Sequence, residues 1–305
     1  MKIRARAPLR LGLAGGGTDL PPFSDIYGGY VLNATISLYS YAMLEPLEDQ
    51  RVVFRANDLQ MKWSGPAEAA LPLDHSLPLH AGVYNRIVRD FNGGMPLPVE
   101  LITSADVPPG SGLGSSSTMV VAILKAFVEH LQLPLGEYEI AHLAYEIERV
   151  DLGMSGGKQD QYAATFGGFN FLEFNAGSQV IVNPLRVKRW IASELESSLV
   201  LFSTGVSRNS SAVIDSQIAN VTDGDIRSLE ATMALKQDAV DMKAALLRGD
   251  MSAFARILGQ GWENKKRTSN GISNPMLDDI YDTARAGRQS FRRGRRWFHD
   301  LHGGA

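Results

Sequence analysis

Cysteine is absent from all 305 residues, which excludes disulfide cross-links, thiolate metal sites and cysteine nucleophiles. No apolar run reaches the length needed to span a bilayer. The opening residues, MKIRARAPLRLGLAGGG, lack an unbroken apolar signal core, so a cytoplasmic location is expected. A strong charge imbalance is missing too: the net charge is −3 and charged residues make up 21%, which argues against nucleic acid as the main partner. None of the glycine runs closes in G-K-[ST], so there is no Walker A loop. What remains is the composition of a globular chain, 44% hydrophobic, with enough length for two domains or one large one.

The stretch Pro108–Thr118, PPGSGLGSSST, organises the rest. Gly110, Gly112 and Gly114 alternate with small residues, and Ser115, Ser116 and Ser117 follow without a break. Upstream, Pro98–Asp106 has the β-branched alternation of a strand. Downstream, Met119, Val120, Ile123, Leu124, Phe127, Val128 and Leu131 recur at helical spacing. A glycine loop between a strand and a helix turns backbone N–H groups toward a ligand at the positive helix end, which makes an anion site, most often for phosphate. A plain linker would not be bracketed by two such elements. The G-x-G-x-G spacing, with no acidic residue placed for a ribose, fits a dinucleotide fingerprint poorly.

Along the chain, Lys2–Ala14 alternates as a half-buried strand, with Arg4, Arg6 and Arg10 on the polar side. It runs into Gly15-Gly16-Gly17-Thr18-Asp19, so Arg10 and Asp19 stand near one strand end. Val31–Ile36, Ser40–Leu44 and Arg51–Arg55 read as short strands, Leu79–Phe91 as a helix, and Pro66–Pro78 as a loop between them. Leu135–Asp151 predicts a second helix whose Glu146 and Glu148 point about 200° apart. A glycine-rich turn, a polar cluster with Lys158 and Asp160, and an aromatic strand Gly168–Phe174 follow. Within that turn Gly153-Met154-Ser155-Gly156-Gly157 matches the hydrolase G-x-S-x-G, but a helix stands where that motif needs a strand. The pattern loosens around Asn175–Leu195. A strand is predicted over Ser198–Gly205, then helices over Asp225–Leu247, Met251–Trp262 and Met276–Ala286, with Lys265-Lys266-Arg267 between two of them.

Three motifs in this order, Pro8–Asp19 (PLRLGLAGGGTD), Pro108–Ser117 (PPGSGLGSSS) and Gly156–Gly168 (GGKQDQYAATFGG), resemble the GHMP small-molecule kinases. The likeness runs from residue 1 to about residue 287. It implies an α+β, two-domain GHMP kinase fold: a mixed-sheet N-terminal domain, residues 1–185, that carries the phosphate loop, and an α/β C-terminal domain, 186–287. Ala14–Ile36 is most similar to the branch that phosphorylates D-glycero-D-manno-heptose 7-phosphate, where a relative acts on L-fucose. The resemblance places the phosphates of ATP on Pro109, Gly110, Ser111, Gly112, Leu113, Gly114, Ser115, Ser116 and Ser117, and Mg²⁺ on Ser116 and Glu148. It makes Asp160 the general base or orienting group and Arg10 the cation beside the developing alkoxide. Gly17, Thr18 and Asp19 would bind the sugar, and Arg208, Lys265 and Arg267 are the cations available to a phosphate on it. The implied partner is a small sugar phosphate, with neither nucleic acid nor membrane, and a homodimer is left open.

The family's third glycine-rich motif is not spelled here. After Gly287 the chain reads RQSFRRGRRWFHDLHGGA, five arginines within Arg288–Arg296. This tail carries +4 of a whole-chain −3, which leaves −7 for the rest. One reading is a basic tail for an acidic partner. The preferred one is a shifted reading frame: with allowed codons and one nucleotide dropped, the tail spells GKVSGAGGGGFMTFTVE, which resembles the missing motif and a following strand. On that reading the C-terminal domain is incomplete and residues 288–305 are an atypical basic tail. A non-catalytic nucleotide- or sugar-binding protein is then the alternative to a working kinase.

Overall fold

The computed structural model describes residues 1–177, 179–202 and 210–292, with 210 and 286–292 described by backbone alone. Arg208 and the tail beyond Arg292 lie outside the described residues.

The strands are β1 (Ile3–Ala14), β2 (Gly29–Pro46), β3 (Arg51–Ala56), β4 (Met61–Pro66), β5 (Val99–Ala105), β6 (Phe169–Phe174) and β7 (Val180–Pro184). They form one mixed sheet in the order β4-β3-β5-β2-β6-β7, with β1 on the other edge of β2. Only the β3–β5 pairing is parallel. The sequence predicts two strands where β2 is one. Opposite Leu9 of β1, β2 carries Ile36, Ser37 and Leu38 between the pairs Arg10↔Thr35 and Pro8↔Tyr39. This bulge bends β2, so its first half pairs with β6 and its second half with β5.

The helices are α1 (Phe23–Tyr27), α2 (Pro78–Phe91), α3 (Ser115–Leu131), α4 (Glu137–Glu146), α5 (Gln159–Phe166), α6 (Arg189–Ser198), α7 (Ser210–Thr222), α8 (Ile226–Arg248), α9 (Met251–Thr268) and α10 (Pro275–Arg292). One core lies between the sheet and α2, α3 and α4, where Val120, Ile123, Leu124 and Phe127 of α3 are fully buried with Leu44, Phe54 and Leu101. Burial of each such side chain contributes about 1.5–3 kcal/mol. A second core packs Ala239, Met242 and Leu246 of α8 and Phe254 and Ile257 of α9 on Leu13, Leu32 and Phe171. Among the described residues no helix is long and apolar enough to cross a membrane.

Three expectations are corrected. The helix over Leu135–Asp151 is interrupted, because α4 ends at Glu146 and Ile147–Asp151 forms a π-helical turn. The strand over Ser198–Gly205 is not formed where it can be seen: Ser198 closes α6, and residues 199–202 pair with no strand among the described residues. Val200, Leu201 and Phe202 are 90%, 60% and 66% exposed. Lys265, Lys266 and Arg267 do not join two helices but form the last turn of α9.

Candidate phosphoryl-transfer site

The glycine loop between β5 and α3 takes three left-handed turns, at Gly110, Gly112 and Gly114 (φ +76°, +77° and +75°). A side chain at these φ values is strained. Pro109, Gly110, Ser111 and Gly112 are exposed, while Leu113 is buried and its carbonyl accepts the backbone N–H of Arg10 at 3.2 Å. Ser115, Ser116 and Ser117 form the first turn of α3, which has no side-chain cap. Its amides therefore face the loop as open donors.

Arg10, at the bulge of β1, ties the loop to α5. Its Nη1 donates to the Gly112 carbonyl at 2.7 Å, and its Nε and Nη2 lie 2.8 Å and 2.6 Å from Asp160 Oδ1. Asp160 sits in the first turn of α5, where the helix dipole favours a carboxylate.

The π-helical turn separates the two glutamates. Glu146 remains on the outer side, 2.8 Å from Arg86, whereas Glu148 is fully buried. Ser116 Oγ donates to Glu148 Oε1 at 2.8 Å, and Gln161 Nε2 donates both to Glu148 Oε2 and to Ser117 Oγ. Among the described residues the nearest cation is Arg149, 4.0 Å from Glu148 Oε1. Arg86 also grips Asp151 at 2.7 Å and 3.0 Å, so one guanidinium brackets the turn that aims Glu148 inward.

Asp19 is almost wholly buried and accepts from Gly17 N, Gln159 N and Gln159 Nε2, each at 3.1 Å. Burial, with Asp160 nearby, holds its carboxyl above the usual carboxylate range. Gly17 (φ +103°) presents backbone to Lys265, whose Nζ would lie 2.6 Å from a Cβ there. Thr18 is fully buried, and its hydroxyl bonds the backbone of Gly15 and Tyr30 at 2.8 Å. It shapes the turn rather than offering a donor to a ligand. Ser155, in the hydrolase-like motif, follows no strand and donates to Asp215.

Gln159, Gln161 and Arg149 are the site residues that sequence reasoning misses. Consecutive helix positions are turned about 100° apart, so Gln159 reaches Asp19, Asp160 reaches Arg10 and Gln161 reaches Glu148. The only signal was the polar spelling KQDQ at the start of an otherwise apolar segment.

A glycine loop at a helix start, a buried carboxylate beside a serine hydroxyl, and an Arg–Asp pair tied to the loop together fit a phosphotransferase. The family model of the GHMP kinases N terminal domain matches residues 78–168. The chain is 53% identical, over 92% of its length and 82% of the relative's, to a D-glycero-alpha-D-manno-heptose 7-phosphate kinase from Campylobacter jejuni. It is 29% identical over 92% of its length, but only 32% of the relative's, to an L-fucokinase/L-fucose-1-P guanylyltransferase from Bacteroides fragilis. A solved D-glycero-D-manno-heptose 1-phosphate kinase from Bacteroides thetaiotaomicron superposes with a TM-score of 0.77 at 54% identity, covering 87% of this chain and 79% of that one. Mevalonate kinase from Methanococcus jannaschii shares the fold at 17% identity, with a TM-score of 0.68 and coverage of 92% and 83%. The chain belongs to the GHMP kinase family. Within it, it is a sugar kinase.

Proposed function

We propose that the chain transfers the γ-phosphate of ATP, with Mg²⁺, to the C1 hydroxyl of D-glycero-D-manno-heptose 7-phosphate, giving the 1,7-bisphosphate. The observation that carries this is Arg10 bonded at once to Gly112 of the loop and to Asp160, which sets a carboxylate beside the place where a terminal phosphate would lie. The heptose follows from two relatives above 50% identity that are named for heptose phosphates.

The residues present fit both groups. A Cβ on Gly112 would meet nothing within 4 Å, so Pro109–Ser117 leave an open cradle in which the N–H groups from Gly110 to Ser117 would hold the ATP phosphates. Glu148 is a fully buried carboxylate whose hydrogen-bond donors, Ser116 and Gln161, are neutral, so it would hold a cation together with Ser116. Among the described residues no group of three or more His, Cys, Asp or Glu side chains could cage a metal; Mg²⁺ instead suits one or two carboxylates supplemented by substrate phosphates and water. When bound, Mg²⁺ would neutralise charge on the phosphoryl group in transfer. Asp160 would orient the acceptor hydroxyl and take its proton. Arg10 fixes that carboxylate and supplies positive charge beside the reacting oxygen. Asp19, held by Gly17 and Gln159, would position the sugar hydroxyls, and Arg208, outside the described residues, is assigned to the sugar from the sequence alone.

The same reading divides the chain near residue 185, leaves 186–287 as an incomplete second domain, and takes 288–305 as a shifted frame. If no single-base change in the gene restores G-K-x-x-G-A-G-G-G-G, the frame reading fails. The substrate is tested by coupled ADP release with heptose 7-phosphate and with L-fucose. Turnover of the heptose alone is expected; turnover of fucose alone would transfer the assignment, and ATP binding without turnover of either would make this a binding protein.

A further inference from the structure

Lys265 lies in the last turn of α9, with its head against the glycine turn that carries Asp19. Its Nζ donates to the Gly16 carbonyl at 2.8 Å and lies 3.5 Å from Gln217 Oε1. Both partners are neutral. Among the described residues no carboxylate comes within 4.0 Å of it, although an ammonium has three protons to donate. The surrounding scaffold is fixed: Asn264 donates to Asp238 at 2.8 Å, and Gln217 donates to Thr268 at 2.6 Å.

Among the described residues the neighbouring cations are taken. Arg10 is paired with Asp160. Arg149 faces the carbonyls of Met154, Ser155 and Gly157 at 3.3–3.4 Å. Lys158 donates to the Gly177 carbonyl and lies 3.9 Å from Asp25. Arg267 is 43% exposed and 3.9 Å from Glu230.

We propose that Lys265 recognises the phosphate that the acceptor already carries, so that the site selects a sugar phosphate over the free sugar. This rests on the acceptor assignment above. Asp160 and Gln159 are adjacent in α5, and Gln159, Asp19, Gly17 and Lys265 follow one another through contacts, so a sugar with its reacting hydroxyl at Asp160 and its ring on Asp19 presents its far end to Lys265. A phosphate there supplies the missing negative partner through a charge-assisted hydrogen bond. Burial holds the ammonium down to about 8, offset only in part by Asp19, which is the state of a cation awaiting an anion.

The test is steady-state kinetics with heptose 7-phosphate and with the same heptose lacking phosphate, for wild type, K265M and K265R. Wild type is expected to prefer the phosphorylated sugar. K265M is expected to raise KM for it about 10- to 100-fold more than it raises KM for the free sugar, the size of one charged hydrogen bond, with kcat changed far less than KM. K265R recovers part of the loss, and inorganic phosphate competes with the acceptor in wild type but not in K265M. Should K265M not fold, K265Q, which keeps a donor to Gly16, takes its place. Equal losses on both sugars, or an unchanged preference in the variant, would overturn the role of Lys265. A wild type indifferent to the phosphate would instead overturn the acceptor assignment.

Discussion

Both contacts from Arg10 to Asp160 fall on a single carboxylate oxygen, Oδ1. Oδ2 accepts no hydrogen bond from the described residues and stands 3.4 Å from the place a Cβ on Gly114 would take. One oxygen is gripped twice by the guanidinium, and its mate is free to accept a hydrogen bond. If Asp160 is the base proposed above, Asp160→Asn keeps the shape but removes it, so kcat should fall about 10²–10⁴-fold, the usual worth of a positioned base, with ATP affinity nearly unchanged. Single-turnover ADP formation and nucleotide titration separate the two; an unchanged kcat removes Asp160 from its role.

Glu148 has the opposite character: it is fully buried, its hydrogen-bond donors Ser116 and Gln161 are neutral, and the cation facing it, Arg149, stands off at 4.0 Å. Glu148→Gln is expected to leave the metal-free protein as stable as wild type or more so, by about 1 kcal/mol or about 2 °C in Tm. The same change should abolish the stabilisation that Mg²⁺ with ATP gives wild type. Melting curves in EDTA and in Mg²⁺-ATP decide this, and a variant still stabilised as much as wild type would count against Glu148 as a metal ligand.

A methyl group on Gly157 would lie 1.9 Å from Asp19 Oδ2. That carboxylate is fixed by Gln159 and cannot retreat without losing its bonds. Gly157→Ala should therefore raise KM for the sugar by about tenfold or more, the equivalent of about 1.4 kcal/mol, and leave KM for ATP within about twofold. Parallel acceptor and ATP titrations give the ratio.

His80 predicts an acid transition remote from the site. It is almost wholly buried, with Nε2 2.8 Å from Thr103 Oγ1, and burial holds its pKa down to about 4, with His75 adding to the effect. The unfolded chain binds a proton near the ordinary 6.5, so between 6.5 and 4 the unfolded state carries more protons than the native one. The stability is full above 6.5 and is lost as pH falls through that window. His80→Gln, which can still bond Thr103, should flatten urea-measured stability between pH 6.5 and 4. An equally steep fall in the variant would acquit His80.

The elements legible in the sequence are those whose periodicity matches their burial. β1 alternates and buries Ile3, Ala7, Leu9 and Leu13, and α3 carries its apolar stripe on the buried face. β4 was illegible because MKWSGP has little strand character; Trp63 forms it by stacking on Phe54 and His75 at 5.3 Å and 4.6 Å. Helix α6 was hidden because only Ile191 and Leu195 are buried along it. In the site, the glycine loop announces itself through backbone need alone. Asp160 and Glu148 became visible through resemblance, because a lone acidic residue has no spelling of its own. Gln159 and Gln161 gain meaning only when α5 turns them apart.

Val200, Leu201 and Phe202 lie largely in solvent. Three large apolar side chains in a row of strand-forming character are an adhesive strip for any other chain that unfolds or meets them. Attraction of this kind strengthens on warming. Loss to precipitation is therefore expected to rise with both concentration and temperature, and replacing Phe202 by a charged residue should reduce it in a light-scattering measurement.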